Sequence, residues 1–367
     1  MKEKTKNIYT VILCSIVFIF ITASNLLTPF KEYSNSERRY LAKFPSLKME
    51  AILNTSWMSD FEKYCQDQFF QRENFRAIKA ATAYNIFNNL DNNGLYQIDG
   101  YLSRLEYPAN EYMWKHASDL FNRISESLFN ENNSIYYCII PDKNYYLARA
   151  NGYLHLDYDK CFSFLNQQLA SMQEIKICDL LKLEDFYYTD THWKQQNLIK
   201  IVNRLAEKMN FNINKSFNEK MLEVDFYGVY AGQYAIKCTN EKIHYLTNEI
   251  IEKATVSYLG NEVFIRKKMY DFKKADGKDP YEFFLSGNQA IITIENNHST
   301  NDKELIVFRD SFGSGLCPLL TEGYKKITII DIRYINSSIL DQYISNNGQD
   351  VLFLYSTLLI NNSQSLK

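Results

Sequence analysis

Residues 304–356 read ELIVFRDSFGSGLCPLLTEGYKKITIIDIRYINSSILDQYISNNGQDVLFLYS. Three runs in this stretch, ELIVFRD (304–310), KKITIIDIR (325–333) and DVLFLYS (350–356), are rich in β-branched and aromatic residues. Their apolar positions run on without alternation, the pattern of a strand buried on both faces. Between them, SFGSGLCPLLTEGY (311–324) predicts a turn and a helix, and INSSILDQYISNN (335–347) predicts a second helix. Strands alternating with helices build a parallel sheet covered by helices.

The rest of the chain extends that pattern. Ile135 to Ile140 is another doubly apolar run, ended by Pro141, and is expected in the same sheet as 304–309, 326–331 and 351–355. EIKICDL (174–180) reads as a short strand, and DKCFSFLNQQLASM (159–172) and NLIKIVNRLAEKM (197–209) as amphipathic helices. Helical patterns also cover 72–87 and 111–129, and Trp57, Phe61 and Tyr64 recur at helical spacing. Turns at 91–94 and 98–102 bracket short strands, while YGVYAGQYAI (227–236) and ATVSYLGNEVFIRKK (254–268) are strand-like.

At the N-terminus, Lys2, Lys4 and Lys6 precede an uncharged run from Ile8 to Leu27. Twenty such residues in a helix span about 30 Å, one hydrocarbon core. The preceding lysines orient it with the N-terminus in the cytoplasm and the rest outside. The competing reading is a cleaved signal peptide, whose apolar region is usually about 7–15 residues long; Ala23-Ser24-Asn25 offers a fair cleavage site. The reading favoured is an uncleaved anchor, residues 1–30, followed by one extracytoplasmic domain, residues 31–367.

The 367 residues are 46% hydrophobic and 15% aromatic, which excludes a disordered chain. A formal charge of -2 gives no ground for a nucleic-acid partner. The cysteines form no C-x-x-C pair and the histidines no metal-ligand spacing, so no metal or cofactor is expected, and phosphate-binding glycine motifs are absent. Outside the cell a disulfide is open to the chain; Cys138 and Cys178, in apolar runs, read equally as buried free thiols.

Reactive groups in a parallel sheet gather at the carboxyl ends of its strands. Ser311 follows the strand ending at Arg309, with Gly313 and Gly315 close behind. A serine at such a turn is a candidate nucleophile beside helix-start N–H groups that stabilise an oxyanion, although Ser or Asp after a strand also serves as a plain N-cap. A serine hydroxyl needs a base. His192, in FYYTDTHWKQQN (186–197), supplies one, and Asp190 can orient it if the backbone bends there. The bland alternative is a structural histidine beside an aspartate, with Trp193 packing under it.

These motifs resemble the DHHW proteins and their relatives, the alginate O-acetyltransferase proteins of the SGNH-hydrolase superfamily. TDTHW (189–193) followed by a strand and RDSF (309–312) carries the resemblance. So do SNSERRYLAKFPSLKMEAILNTSWMSDFEKYCQDQFFQRENF (34–75), IIPDKNYYLA (139–148) and FFLSGNQAIITI (283–294), in the family's order. The resemblance implies an SGNH-hydrolase-like three-layer α/β sandwich with a mostly parallel sheet in circularly permuted order, behind the N-terminal transmembrane helix. It implies Ser311 as nucleophile, His192 as base and Asp190 as its acid. Two departures stand out: Thr191 in the middle of the motif, as in the alginate-type form, and Arg309 in place of the glycine before Asp-Ser. Arg333, Lys143 and Asn144, near strand ends, are candidate substrate-binding residues.

The implied activity is O-acetyl transfer to hydroxyls of a cell-surface or exported polysaccharide, with a membrane acyltransferase of the MBOAT class as donor. An acetyl esterase using the same triad, or a catalytically silent tethered glycan-binding protein, are the alternatives.

Overall fold

The structure is a computed structural model describing residues 3–34, 36–213, 216–235, 238–260, 263–299 and 301–367. Lys2 of the basic N-terminus, Ile236 of the strand expected over 227–236, and Asn261 and Glu262 of the 254–268 run lie outside them. The chain divides into two compact units, residues 1–93 with 231–237, and residues 94–230 with 238–367.

In the smaller unit the helix Glu3–Leu27 has no buried residue and is long and apolar enough to cross a membrane. Helices Met49–Leu53, Ser56–Asp67 and Arg72–Asn85 follow. The Asp67 carboxylate accepts two bonds from the Arg39 guanidinium, at 2.8 and 2.6 Å, and one from the Ala42 N–H. Arg39 thereby holds that carboxyl below its ordinary range.

The larger unit is built on an eight-stranded sheet. Its spatial order is Phe264–Lys267, Thr255–Leu259, Ile291–Glu295, Lys326–Ile330, Glu304–Arg309, Asp350–Ser356, Ile135–Ile140 and Gln173–Glu174. The last five pair in parallel and the first three join antiparallel, so the sheet is mostly parallel, as expected. The four doubly apolar runs lie side by side because each feeds two cores. Leu305, Val307, Leu352 and Leu354 pack on one face with Ile201, Val202 and Leu205 of the helix Ile199–Met209. Ile306, Phe308, Val351 and Phe353 pack on the other with Trp114 and Phe121 of Glu111–Leu128 and Leu165 of Tyr158–Gln168. The result is three layers, helix on sheet on helix.

Three local expectations are corrected. Of the run expected as a strand over 174–180, Glu174 pairs with Tyr137 at the end of the strand Gln173–Glu174, and the Ile175 N–H still donates to the Tyr137 carbonyl at 2.9 Å; Ile177 is buried beyond it, so the apolar pattern past Ile175 reports burial without pairing. The helix expected over 335–347 is a short 3-10 turn, Ser337–Gln342, in which Leu340 is the single fully buried anchor. In the strand-like 227–236 run, Val229–Tyr234 is helical. The N–H groups of Val229 and Tyr230 are taken by the Asp190 carboxylate and the Thr189 carbonyl, so those two donors do not enter a ladder.

Candidate active site

The Glu304–Arg309 strand ends in a turn fixed by Asp310. One of its oxygens accepts the Phe312 N–H at 3.0 Å; the other accepts the Ser356 N–H at 2.8 Å and hydroxyl at 2.6 Å, from the end of the adjacent strand. Asp310 is thus consumed in bracing the turn, and Ser311 is presented above it.

The 186–193 segment folds back on itself. Phe186 bridges Trp193, and the Tyr187 N–H donates to the His192 carbonyl at 3.1 Å. The bend that an Asp-x-His pair needs is therefore built into the chain here. Glu241 braces it by accepting the Tyr188 and Thr189 N–H groups and the Thr189 hydroxyl, each at 2.9 Å. Burial raises the Glu241 carboxyl above its ordinary value.

Within that bend, Asp190 Oδ1 stands 2.5 Å from His192 Nδ1, and Asp190 Oδ2 accepts the Val229 N–H at 2.9 Å. His192 Nε2 stands 2.8 Å from Ser311 Oγ. An ionised carboxylate only accepts, so in the neutral imidazole Nδ1 carries the proton and Nε2 accepts the serine hydroxyl. The Trp193 indole N–H donates to the Phe312 carbonyl at 3.0 Å, and the Gln195 amide to the Gly315 carbonyl at 2.7 Å, which ties the histidine segment to the serine turn. Asp190 is 1% and His192 7% exposed, so the pair is almost wholly shielded from water.

The other three expected site residues lie differently. Lys143 is 2% exposed, and its amine donates to the carbonyls of Tyr187 and Tyr188 at 2.9 and 3.2 Å. Burial lowers its pKa to about 7, and a neutral amine still has the two N–H donors those carbonyls need. Asn144 is fully buried, accepting the Tyr96 hydroxyl at 2.6 Å, with its own amide nitrogen unpartnered. Neither side chain is open to solvent, and Lys143 lies against the 187–190 bend. Arg333 clasps Asp331 through Nε and Nη2, at 2.8 and 2.6 Å, and is partly exposed.

The surroundings of two groups were not legible in the sequence. Arg309, in the glycine position of the motif, is fully buried, 3.5 Å from Asp331, and donates to the carbonyls of Asp310 and Gly287 at 3.3 Å. Its place after a strand gave no sign of that pairing. Tyr281 lies face to face with His192, and nothing in DPYEFF (279–284) sets it apart from the chain's other tyrosines. Cys138, Cys161 and Cys317 are buried thiols.

No protein-family model matches the sequence, and no curated protein matches it. Solved structures do. A DHHW family protein from Eubacterium siraeum is 19% identical, with a TM-score of 0.61 over 75% of this chain and 95% of that one. PatB1 of Bacillus cereus is 17% identical, with a TM-score of 0.58 over 72% of this chain and 96% of that one; it has also been solved with a sulfonyl adduct. The O-acetyltransferase domain of Pseudomonas putida AlgJ is more distant, at 9% identity and a TM-score of 0.45 over 73% and 92%. The chain thus shares the fold of a DHHW family protein and of PatB1, the fold that its own motifs led us to expect.

Proposed function

We propose that this chain is a membrane-anchored O-acetyltransferase acting on hydroxyls of a cell-surface or exported polysaccharide. The observation that carries the reading is the continuous relay from Asp190 through His192 to Ser311, at 2.5 and 2.8 Å. In it, the Ser311 Oγ–H bond breaks as its proton passes to His192 Nε2, and the freed electron pair attacks the acetyl carbonyl of the donor. Asp190 stabilises the imidazolium that forms. When the tetrahedral adduct collapses, His192 returns the proton to the departing group. A sugar hydroxyl then gives its proton to His192, attacks the acetyl-serine, and leaves with the acetyl group as Ser311 regains its hydrogen.

The helix Glu3–Leu27 supports residues 1–30 as an anchor, and the lysines before it favour 31–367 on the outer side. That placement suits a donor delivered by a multi-spanning membrane acyltransferase of the MBOAT class. The guanidinium of Arg333 has its Nη1 uncommitted to Asp331 and is the candidate for holding a sugar or acetyl oxygen. Lys143 supports the bend that carries Asp190 through the Tyr187 and Tyr188 carbonyls, and Asn144 is buried against Tyr96.

The test is full-length protein in detergent with p-nitrophenyl acetate, with and without polysaccharide oligomers, followed by mass spectrometry. Acetylated oligomers formed by the native chain and not by Ser311→Ala support transfer. Acetate release alone, unchanged by any acceptor, makes the protein an esterase, and no turnover of either kind removes the enzymatic reading.

A further inference from the structure

The imidazole of His192 carries a second contact that the triad does not include. The ring of Tyr281 stacks on it with centroids 3.8 Å apart and planes 5° from parallel, while Phe312 leans on it at 5.0 Å and 56°. Tyr281 is itself immobilised. Asp279 caps the short turn Pro280–Phe283 by accepting the Tyr281 N–H at 3.1 Å, and the rings of Tyr187 and Phe284 pack on it at 6.4 and 5.1 Å. Its hydroxyl is buried without a hydrogen-bond partner. An added Cβ at Gly315, four residues after Ser311, would lie 3.0 Å from that oxygen, so the ring fills the space up to the serine helix. A buried hydroxyl left unpaired is a cost to stability, which locates the value of this residue in its ring.

We propose that Tyr281 is a positioning residue whose aromatic face holds the His192 imidazole in the one plane that serves Asp190 and Ser311 together. The inference rests on the acyl-transfer reading above and adds a residue to it. A ring free to turn about its side-chain bonds keeps a hydrogen bond to one partner and loses the other. A parallel neighbour at van der Waals distance removes that freedom, and its electron-rich face also favours the imidazolium formed when Ser311 gives up its proton.

The experiment uses full-length protein in detergent, the variants Tyr281→Phe and Tyr281→Leu, and methanesulfonyl fluoride as probe. Ser311 Oγ attacks sulfur, fluoride leaves, and the serine proton passes to His192; intact mass gives the rate. A second readout is the low-field NMR resonance of the Nδ1 proton between His192 and Asp190. Tyr281→Phe keeps the ring and is expected to react within about twofold of the native rate, with the resonance in place. Tyr281→Leu is expected to react roughly two- to tenfold more slowly, with the resonance broadened or lost. If the leucine variant does not fold, Tyr281→Met takes its place. A non-aromatic variant with native rate and intact resonance overturns the proposal, as does a phenylalanine variant as slow as the non-aromatic one. If native protein leaves Ser311 unlabelled, the acyl-transfer reading fails, and the resonance alone still decides whether Tyr281 holds the ring.

Discussion

Ser311 Oγ lies 2.8 Å from Nε2 of His192, although 119 residues separate them in the chain. That one contact joins a strand-end turn to a bend in a loop, and the proposed chemistry depends on it. Ser311→Ala removes the nucleophile and should lower p-nitrophenyl acetate turnover by roughly 10⁴-fold or more. Asp190→Asn should lower it by about 10²–10⁴-fold through loss of the imidazolium's partner. The thermal midpoint of Ser311→Ala should stay close to native, which separates lost chemistry from lost fold.

Asp310 is expected to show the opposite balance. It accepts three bonds across two strand ends, so Asp310→Ala leaves buried donors unpaired. The expected cost is roughly 1–3 kcal/mol in urea unfolding, with slower turnover because the Ser311 turn loosens. An unaltered unfolding midpoint would show that the turn is held by something else.

Gly228 is set by close approach. A Cβ there would lie 2.3 Å from the Asp190 backbone, and the next N–H, of Val229, is the one on the Asp190 carboxylate. Gly228→Ala should force these segments apart, lowering stability by about 1–3 kcal/mol and slowing Ser311 labelling. Native labelling kinetics in a folded Gly228→Ala protein would count against Val229 as a support for Asp190.

Asp142 and Lys143 predict a pH signature. Burial raises the Asp142 carboxyl to about 7 and lowers the Lys143 amine to about 7. Between the ordinary aspartate value near ~4 and 7, the folded state binds the extra proton at Asp142, so stability falls as pH rises. Between 7 and the ordinary lysine value near ~10, the unfolded state binds the extra proton at Lys143, so stability rises with pH. The pair therefore contributes a minimum near neutrality. Urea unfolding at roughly pH 5, 7 and 9 should show that dip in the native chain relative to Asp142→Asn/Lys143→Met; parallel curves for the two proteins would refute it.

Much of this protein is written locally. The runs at 135–140, 304–309, 326–330 and 350–356 each supply alternate side chains to two cores, so their apolar pattern alone marks them as interior strands. The uncharged stretch from Ile8 to Leu27 is equally self-declaring, because helix length and polarity are properties of a contiguous segment. The motifs around His192 and Ser311 named the groups worth bringing together. What the tertiary structure decided is whatever needs a partner from far along the chain. The bend that returns Asp190 to His192 is held by Glu241, Lys143 and Val229. Arg309 sits buried against Asp331, Lys143 turns inward to carbonyls, and Tyr281 covers the imidazole. The same limit explains the strands expected at 174–180 and 227–236: composition records that a residue will be buried, while the choice between pairing, helix and turn depends on which distant donors and acceptors reach it first.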